Sequence, residues 1–246
     1  MRLFTLRICV AAASSAFLLA GCTLQGDRTL RSYGPNAYAA ITTEPHTVPA
    51  VGSGIVPDHY KRRMVTDPTG EKPGTIVVDT GRRYLYYVMP GGKAMRYGIG
   101  VGRQGFGWSG SATIQHKAKW PTWTPPREMV ERQPEIAKWA DGMPGGIRNP
   151  LGARALYLFQ GNRDTLYRLH GTNEPWSIGR AMSSGCIRLL NQDIIDLYNR
   201  ADIGTKVIVR QGAVASSFNP PNLGAFVSSL SGNEPLRPKK NVKKKI

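Results

Sequence analysis

Through the middle of the chain, apolar and β-branched residues come in short alternating runs, not long helical stripes. Residues 75–79, 83–89 and 94–101 follow one another with only Thr80-Gly81-Arg82 and Pro90-Gly91-Gly92 between them. Similar runs recur at 112–120, 155–160, 165–170 and 205–210. A strand turns successive side chains to opposite faces, so these runs predict half-buried strands joined by Gly-containing turns. Helical periods do not alternate with them, which argues against repeated βαβ units. One helix is marked: Leu190, Ile194, Leu197 and Ala201 form an apolar stripe, Asn191 suits an N-cap, Asp193 puts negative charge in the first turn, and Gly204 ends the element. The stripe reads as core packing.

Residues 120–150 break the pattern. Trp120-Pro-Thr-Trp123-Thr-Pro-Pro126 is stiff, 127–140 has helical composition interrupted by Pro134, and Asp141-Gly-Met-Pro-Gly-Gly146 closes the segment. An insertion this long inside a small domain predicts a lid or cleft wall. The pattern therefore predicts a mainly β single domain over 73–210, a sandwich or barrel, with one or two short helices and a long cleft-lining insertion.

The flanks carry little periodicity. Residues 23–72 are rich in Gly, Pro, Thr and Ser and read as a tether, with 58–65 laid against the domain. Residues 211–246 read as a basic flexible tail ending in Arg237, Lys239, Lys240, Lys243, Lys244 and Lys245. At the other end, Arg2 and Arg7 precede an uncharged run from Ile8 to Ala20 that is too short to span a bilayer, so 1–22 reads as an export signal. Its end, Leu19-Ala20-Gly21-Cys22, resembles the lipobox of bacterial lipoproteins, in which the Cys is acylated. An ordinary cleaved signal containing a Cys is the alternative. The expectation is an exported, membrane-anchored lipoprotein facing the periplasm, held through Cys22. With 33 Lys and Arg against 16 Asp and Glu, the net charge of +17 suits polyanionic surroundings. Export makes these an anionic lipid or acidic polymer, with no nucleic acid partner.

Export also changes the meaning of the cysteines. Cys9 leaves with the signal and Cys22 goes to the lipid, which leaves Cys186 alone in a compartment that oxidises paired thiols. A solitary Cys is either an inert buried residue or a reactive thiol. Its surroundings favour chemistry. If 186–189 is extended, Cys186 and Arg188 share one face while Ile187 and Leu189 enter the core, and a guanidinium there would favour the thiolate. His170 ends the run Leu166-Tyr-Arg-Leu169, opposite to Tyr167 and Leu169. Gly171 leaves the backbone bare beside the imidazole, where a carbonyl could orient one ring nitrogen. Ser184-Gly185-Cys186 offers successive amides, and Gly185 tolerates the backbone angles that would turn them toward an oxyanion. A lone His or a lone Cys is usually structural; the combination points to a nucleophile and its base. His46 and His59 fall in the tether and His116 in a strand, no Cys/His spacing suits zinc, and Gly98–Gly102 lacks a phosphate-loop context. No metal or cofactor is expected.

His170-Gly171 followed by Ser183-Ser184-Gly185-Cys186-Ile187-Arg188 resembles the motif of the L,D-transpeptidase catalytic (YkuD-type) domain, which runs His-Gly, a spacer, then Ser-His/Ser-Gly-Cys-x-Arg. The likeness extends over about 73–210, including Asn149-Pro-Leu-Gly152 and the helix with Asp193 and Asp196. Ser184 stands where many members carry His. The resemblance implies a mainly β, β-sandwich-like fold of mixed strands and a cysteine enzyme: Cys186 as nucleophile, His170 as base, the Gly185 and Cys186 amides as oxyanion donors beside Gly171, and Arg188 as the family's Arg. It implies acyl transfer on peptidoglycan stem peptides, with release of a terminal D-Ala. The acceptor would be an amine on a second stem or on a wall-anchored protein. Trp120, Trp123, Met143, Trp176, Ser183 and Ser184 are candidate cleft residues. Two rivals remain: a hydrolase using the same thioester, and a non-enzymatic basic lipoprotein bridging membrane and wall.

Overall fold

The computed structural model describes residue 34 and residues 36–102, 108–183 and 185–211. The expected signal with Cys22, and the tail from 212 onward, lie outside the described residues. The strands are β1 (Arg63–Thr66), β2 (Ile76–Asp79), β3 (Tyr84–Met89), β4 (Lys93–Gly98), β5 (Val101–Gly102), β6 (Gly110–Lys119), β7 (Arg154–Gln160), β8 (Arg163–His170), β9 (Ala181–Ser183), β10 (Ile187–Arg188) and β11 (Lys206–Arg210). Nine of them form one sheet in the order β1-β4-β3-β2-β11-β6-β7-β8-β10, and β5 pairs with β9. Pairings of β2 with β11 and of β8 with β10 are parallel, while the hairpins are antiparallel, so the sheet is mixed, as the family resemblance implied.

Alternation decides the core. Ile76, Val78, Leu85, Met95 and Tyr97 meet Ile114, Leu156, Leu158, Leu169 and Val207 on one side of the sheet, where Ile194, Leu197 and Ala201 of the Asn191–Arg200 helix join them. Each such aliphatic side chain contributes about 1.5–3 kcal/mol when fully buried.

The run at 94–101 does not make one strand. β4 stops at Gly98, where an added Cβ would lie 2.3 Å from the Tyr60 carbonyl oxygen. The chain then steps off the main sheet. Gly100 and Arg188 exchange both backbone hydrogen bonds at 2.9 Å, and β5 goes on to pair with β9. This detour supports the residues around Cys186 from a second side.

The expected tether over 23–72 needs the larger correction. From residue 36 onward the segment is a packed strap. Val48 and Val56 are buried, the latter with Ile178 and Leu190, and β1 extends the sheet beside β4. Polar latches hold it: Glu44 pairs with Arg154, and Gln192 donates to the Pro49 carbonyl at 2.8 Å. Arg62 reaches Asp193 (3.3 Å), Asp196 (3.6 Å) and the Gln192 carbonyl (3.1 Å), while Tyr38 donates to Asp193 at 3.3 Å.

Asn191 is not the N-cap. Leu190 occupies that position without a side-chain cap, and Asn191 is the first helical residue. Its side chain is turned away from the helix end. Oδ1 accepts from the Ala153 amide and Nδ2 donates to the Thr172 carbonyl, both at 2.9 Å.

The 120–150 insertion holds a short helix, Arg127–Arg132, and a 3-10 turn, Pro134–Trp139, so Pro134 begins an element. Trp123 and Met143 bridge its arms, and the Asn149 side chain reaches the carbonyls of Pro121 and Pro144, both at 3.0 Å.

Candidate active site

His170 stands at the end of β8, opposite Ala155 of β7 on one side and Arg188 of β10 on the other. With Leu169 in the core, parity turns the imidazole away from it, yet the flanking strands leave His170 only 4% exposed. Its Nδ1 lies 2.6 Å from the Gly171 carbonyl oxygen. A carbonyl only accepts, so Nδ1 carries the proton and Nε2 keeps a lone pair. Burial pushes the ring pKa down to about 4, against the pull of the Gly171 bond, and the charges of Arg188 and Arg168 add to the depression. At neutral pH the imidazole is uncharged and has its basic nitrogen free.

Cys186 is half-buried between Gly185, whose φ is +137°, and the core residue Ile187. A φ of that sign is strained for any side chain with a Cβ and accessible to glycine. Burial raises the thiol's pKa, while the Arg168 amide and the charges of Arg168 and Arg188 pull it down by less. The expectation was that Arg188 favours the thiolate. Its field has that sign, but burial outweighs it, and its Nη1 is paired with Glu174 at 2.7 Å. Burial thus favours a neutral thiol beside a neutral imidazole.

His170, Gly185, Cys186 and Arg188 line one cavity of about 1300 Å³. The insertion supplies much of its opposite wall, including Trp123, Met129, Ile136, Trp139 and Met143, and Trp176 contributes from the loop after His170. Trp120 is not part of it. Its backbone turns at φ +48° and the indole faces the strap, donating to Glu44 at 3.0 Å and meeting the His46 ring edge-on at 4.8 Å. Ser183 falls in β9, its side chain outside what is described, and Ser184 lies outside the described residues.

Two cavity-lining residues, Glu174 and Leu166, went unnoticed in the sequence, as did Arg168, whose charge bears on His170 and Cys186. Arg168 precedes His170 by two positions, so strand parity alone would have set it on the imidazole's side; its guanidinium holds Asp164 through two bonds of 2.7 and 2.8 Å. Glu174 is the partner of Arg188. Leu166 has φ +63°, its side chain is 75% exposed toward the cavity, and its carbonyl lies 4.0 Å from Cys186 Sγ. No periodicity announces a bulge of that kind.

The family model for YkuD, the L,D-transpeptidase catalytic domain, matches residues 73–209. In Escherichia coli K12, the probable L,D-transpeptidase ErfK/SrfK is 34% identical over 154 residues, covering 59% of this chain and 46% of that protein. The probable L,D-transpeptidase YbiS of the same strain is 34% identical over 151 residues, covering 59% and 47%. The chain thus spans about half the length of these curated relatives. Among solved structures, a probable carnitine operon oxidoreductase from Brucella melitensis is 51% identical, covering 63% of this chain and 96% of that one with a TM-score of 0.45.

Proposed function

The chain belongs to the L,D-transpeptidase catalytic domain family, and from that premise we propose that it is a cysteine acyltransferase acting on peptidoglycan stem peptides. The observation that supports this reading is the pairing, in one cavity, of Cys186 with a His170 whose Nδ1 is occupied by Gly171 and whose Nε2 is free. Because both groups rest neutral, the thiol proton passes to Nε2 as sulfur attacks the carbonyl of the third stem residue. The S–C bond forms, the amide C–N bond to the terminal D-Ala breaks, and imidazolium returns the proton to the departing amine. The Gly185 and Cys186 amides carry the developing oxyanion. An amine of a second stem, or of a wall-anchored protein, then resolves the thioester. The wall built by the insertion keeps water from that intermediate, and excluding water suppresses hydrolysis. Cys22 acylation would hold the protein on the membrane, facing the periplasm; incorporation of a labelled fatty acid, lost in Cys22→Ser, tests this.

The decisive assay separates transferase from hydrolase. Given a tetrapeptide-stem donor alone, the purified protein should release D-Ala slowly. A second stem bearing a free side-chain amine should raise that rate and give a covalent dimer, and Cys186→Ala should do neither while keeping its melting temperature. A free tripeptide acid formed at a rate indifferent to acceptor would establish the hydrolase instead.

A further inference from the structure

One residue behind the pair, the Asn191 side chain is 6% exposed and wedged between two stretches of backbone. Its Oδ1 takes the Ala153 amide and its Nδ2 gives to the Thr172 carbonyl. The fit is close on both sides: an added Cβ on Gly171 or on Gly152 would come within 2.2 Å of Oδ1. The Gly171–Thr172 segment is thus held at each end, since the Gly171 amide donates to the Arg154 carbonyl at 3.0 Å. Between those two fixed points lies the Gly171 carbonyl that accepts from His170 Nδ1. On its far side, Asn191 is followed by Gln192 and Asp193, which the strap grips through Pro49 and Arg62.

We propose that Asn191 is a positioning residue: by clamping the Gly171–Thr172 peptide it aims the Gly171 carbonyl, and so selects the tautomer in which His170 presents Nε2 to the cavity. This inference rests on reading His170 as the base. The position needs an acceptor atom and a separate donor atom on one short side chain, which an amide supplies; a carboxylate lacks the donor, and a hydroxyl has only one oxygen for both partners. Which imidazole nitrogen is basic is decided by the hydrogen bond that the other one makes. With the carbonyl released, the ring proton is free to move to Nε2, which silences the base.

The test is nitrogen-15 NMR of the His170 ring in the full chain, alongside the rate at which a β-lactam acylates Cys186, followed by intact mass. The parent should carry its ring proton on Nδ1. Asn191→Ala should shift the proton toward Nε2 and lower the ring's pKa, because the Gly171 bond that raises it is lost; Asn191→Asp, which keeps the acceptor and loses the donor, should shift the proton the same way. Acylation should slow by about 10- to 100-fold, the scale for a misplaced catalytic group. A parent protonated on Nε2 overturns the proposal without any variant having to fold. It is equally overturned if both variants keep the tautomer and pH profile and lose only thermal stability. A parent that is not acylated at Cys186 at all would sink the functional reading, while the NMR result would still decide the tautomer.

Discussion

Two polar clusters, one fastening the strap to the Asn191–Arg200 helix and one around the buried His170 and Cys186, differ in what closes them. On the strap side, Arg62 lies between Asp193 and Asp196, with Tyr38 and the Gln192 carbonyl completing the shell. On the cavity side, Arg168 and Arg188 face Asp164 and Glu174, yet neither cation gives His170 or Cys186 a charge of its own. The first cluster answers burial with counter-charge and becomes a fastener. The second answers it by staying neutral and leaves one nitrogen facing the cavity. Burial is common to both; the open position is what makes one of them chemical.

The comparison breaks if the fastener proves dispensable. Arg62→Ala leaves Asp193, wholly buried, without its cation, and removing one partner of a buried pair costs about 3–5 kcal/mol. Chemical denaturation should show that loss, while the folded fraction acylates Cys186 at an unchanged rate. A loss under about 1 kcal/mol would class the pair with ordinary surface ion pairs.

A pH series sharpens the contrast, because the clusters carry opposite signs. His170 has a folded pKa of about 4, below its ordinary 6.5, so its contribution is present above pH 6.5 and is lost as pH falls through 4. Burial pushes Asp193 up to about 7, against Arg62 and Tyr38, so its contribution is present below the ordinary carboxylate range and is lost as pH rises through 7. The stability difference between the parent and His170→Gln should therefore shrink by about 3 kcal/mol between pH 6.5 and 4, at 1.36 kcal/mol per pKa unit. A flat difference would mean that the ring is not held neutral by burial.

The smallest effect belongs to Arg188→Lys. Lysine keeps the charge but loses the planar fork engaging Glu174, a half-exposed pair. Stability should change by less than about 1 kcal/mol, and acylation should slow by about fivefold. Unchanged kinetics would reduce Arg188 to a diffuse charge.

The strands, and the meeting of His170 and Cys186 in one cavity, were readable in the sequence because each leaves a local mark: alternation for β2, β3, β7 and β8, and a short motif for His170 and Cys186. The strap left none. Its attachment depends on Tyr38, Glu44, Arg62 and Gln192 meeting partners far along the chain, and a Gly- and Pro-rich stretch held by polar latches has the composition of a linker. Asn191 misled for a related reason: its type suits a cap, but a stronger pair of partners lay in Ala153 and Thr172. Trp120 followed its neighbours into the cleft by sequence and left it by one left-handed residue. For the thiol, spacing shows where Arg188 stands and the sign of its effect, and not how deeply the sulfur is buried.

The strand order also governs when any of this can exist. β11 is the last of the described strands, yet it lies between β2 and β6, near the middle of the sheet. Until residues 206–210 are free to insert, the main sheet stays in two blocks, β1–β4–β3–β2 and β6–β7–β8–β10, linked through the Gly100–Arg188 bridge and the β5–β9 pair. Joining strands this far apart in sequence is a slow, late event. A chain emerging from a ribosome or threading through a pore therefore holds the residues around Cys186 on an incomplete sheet until residues 206–210 are released.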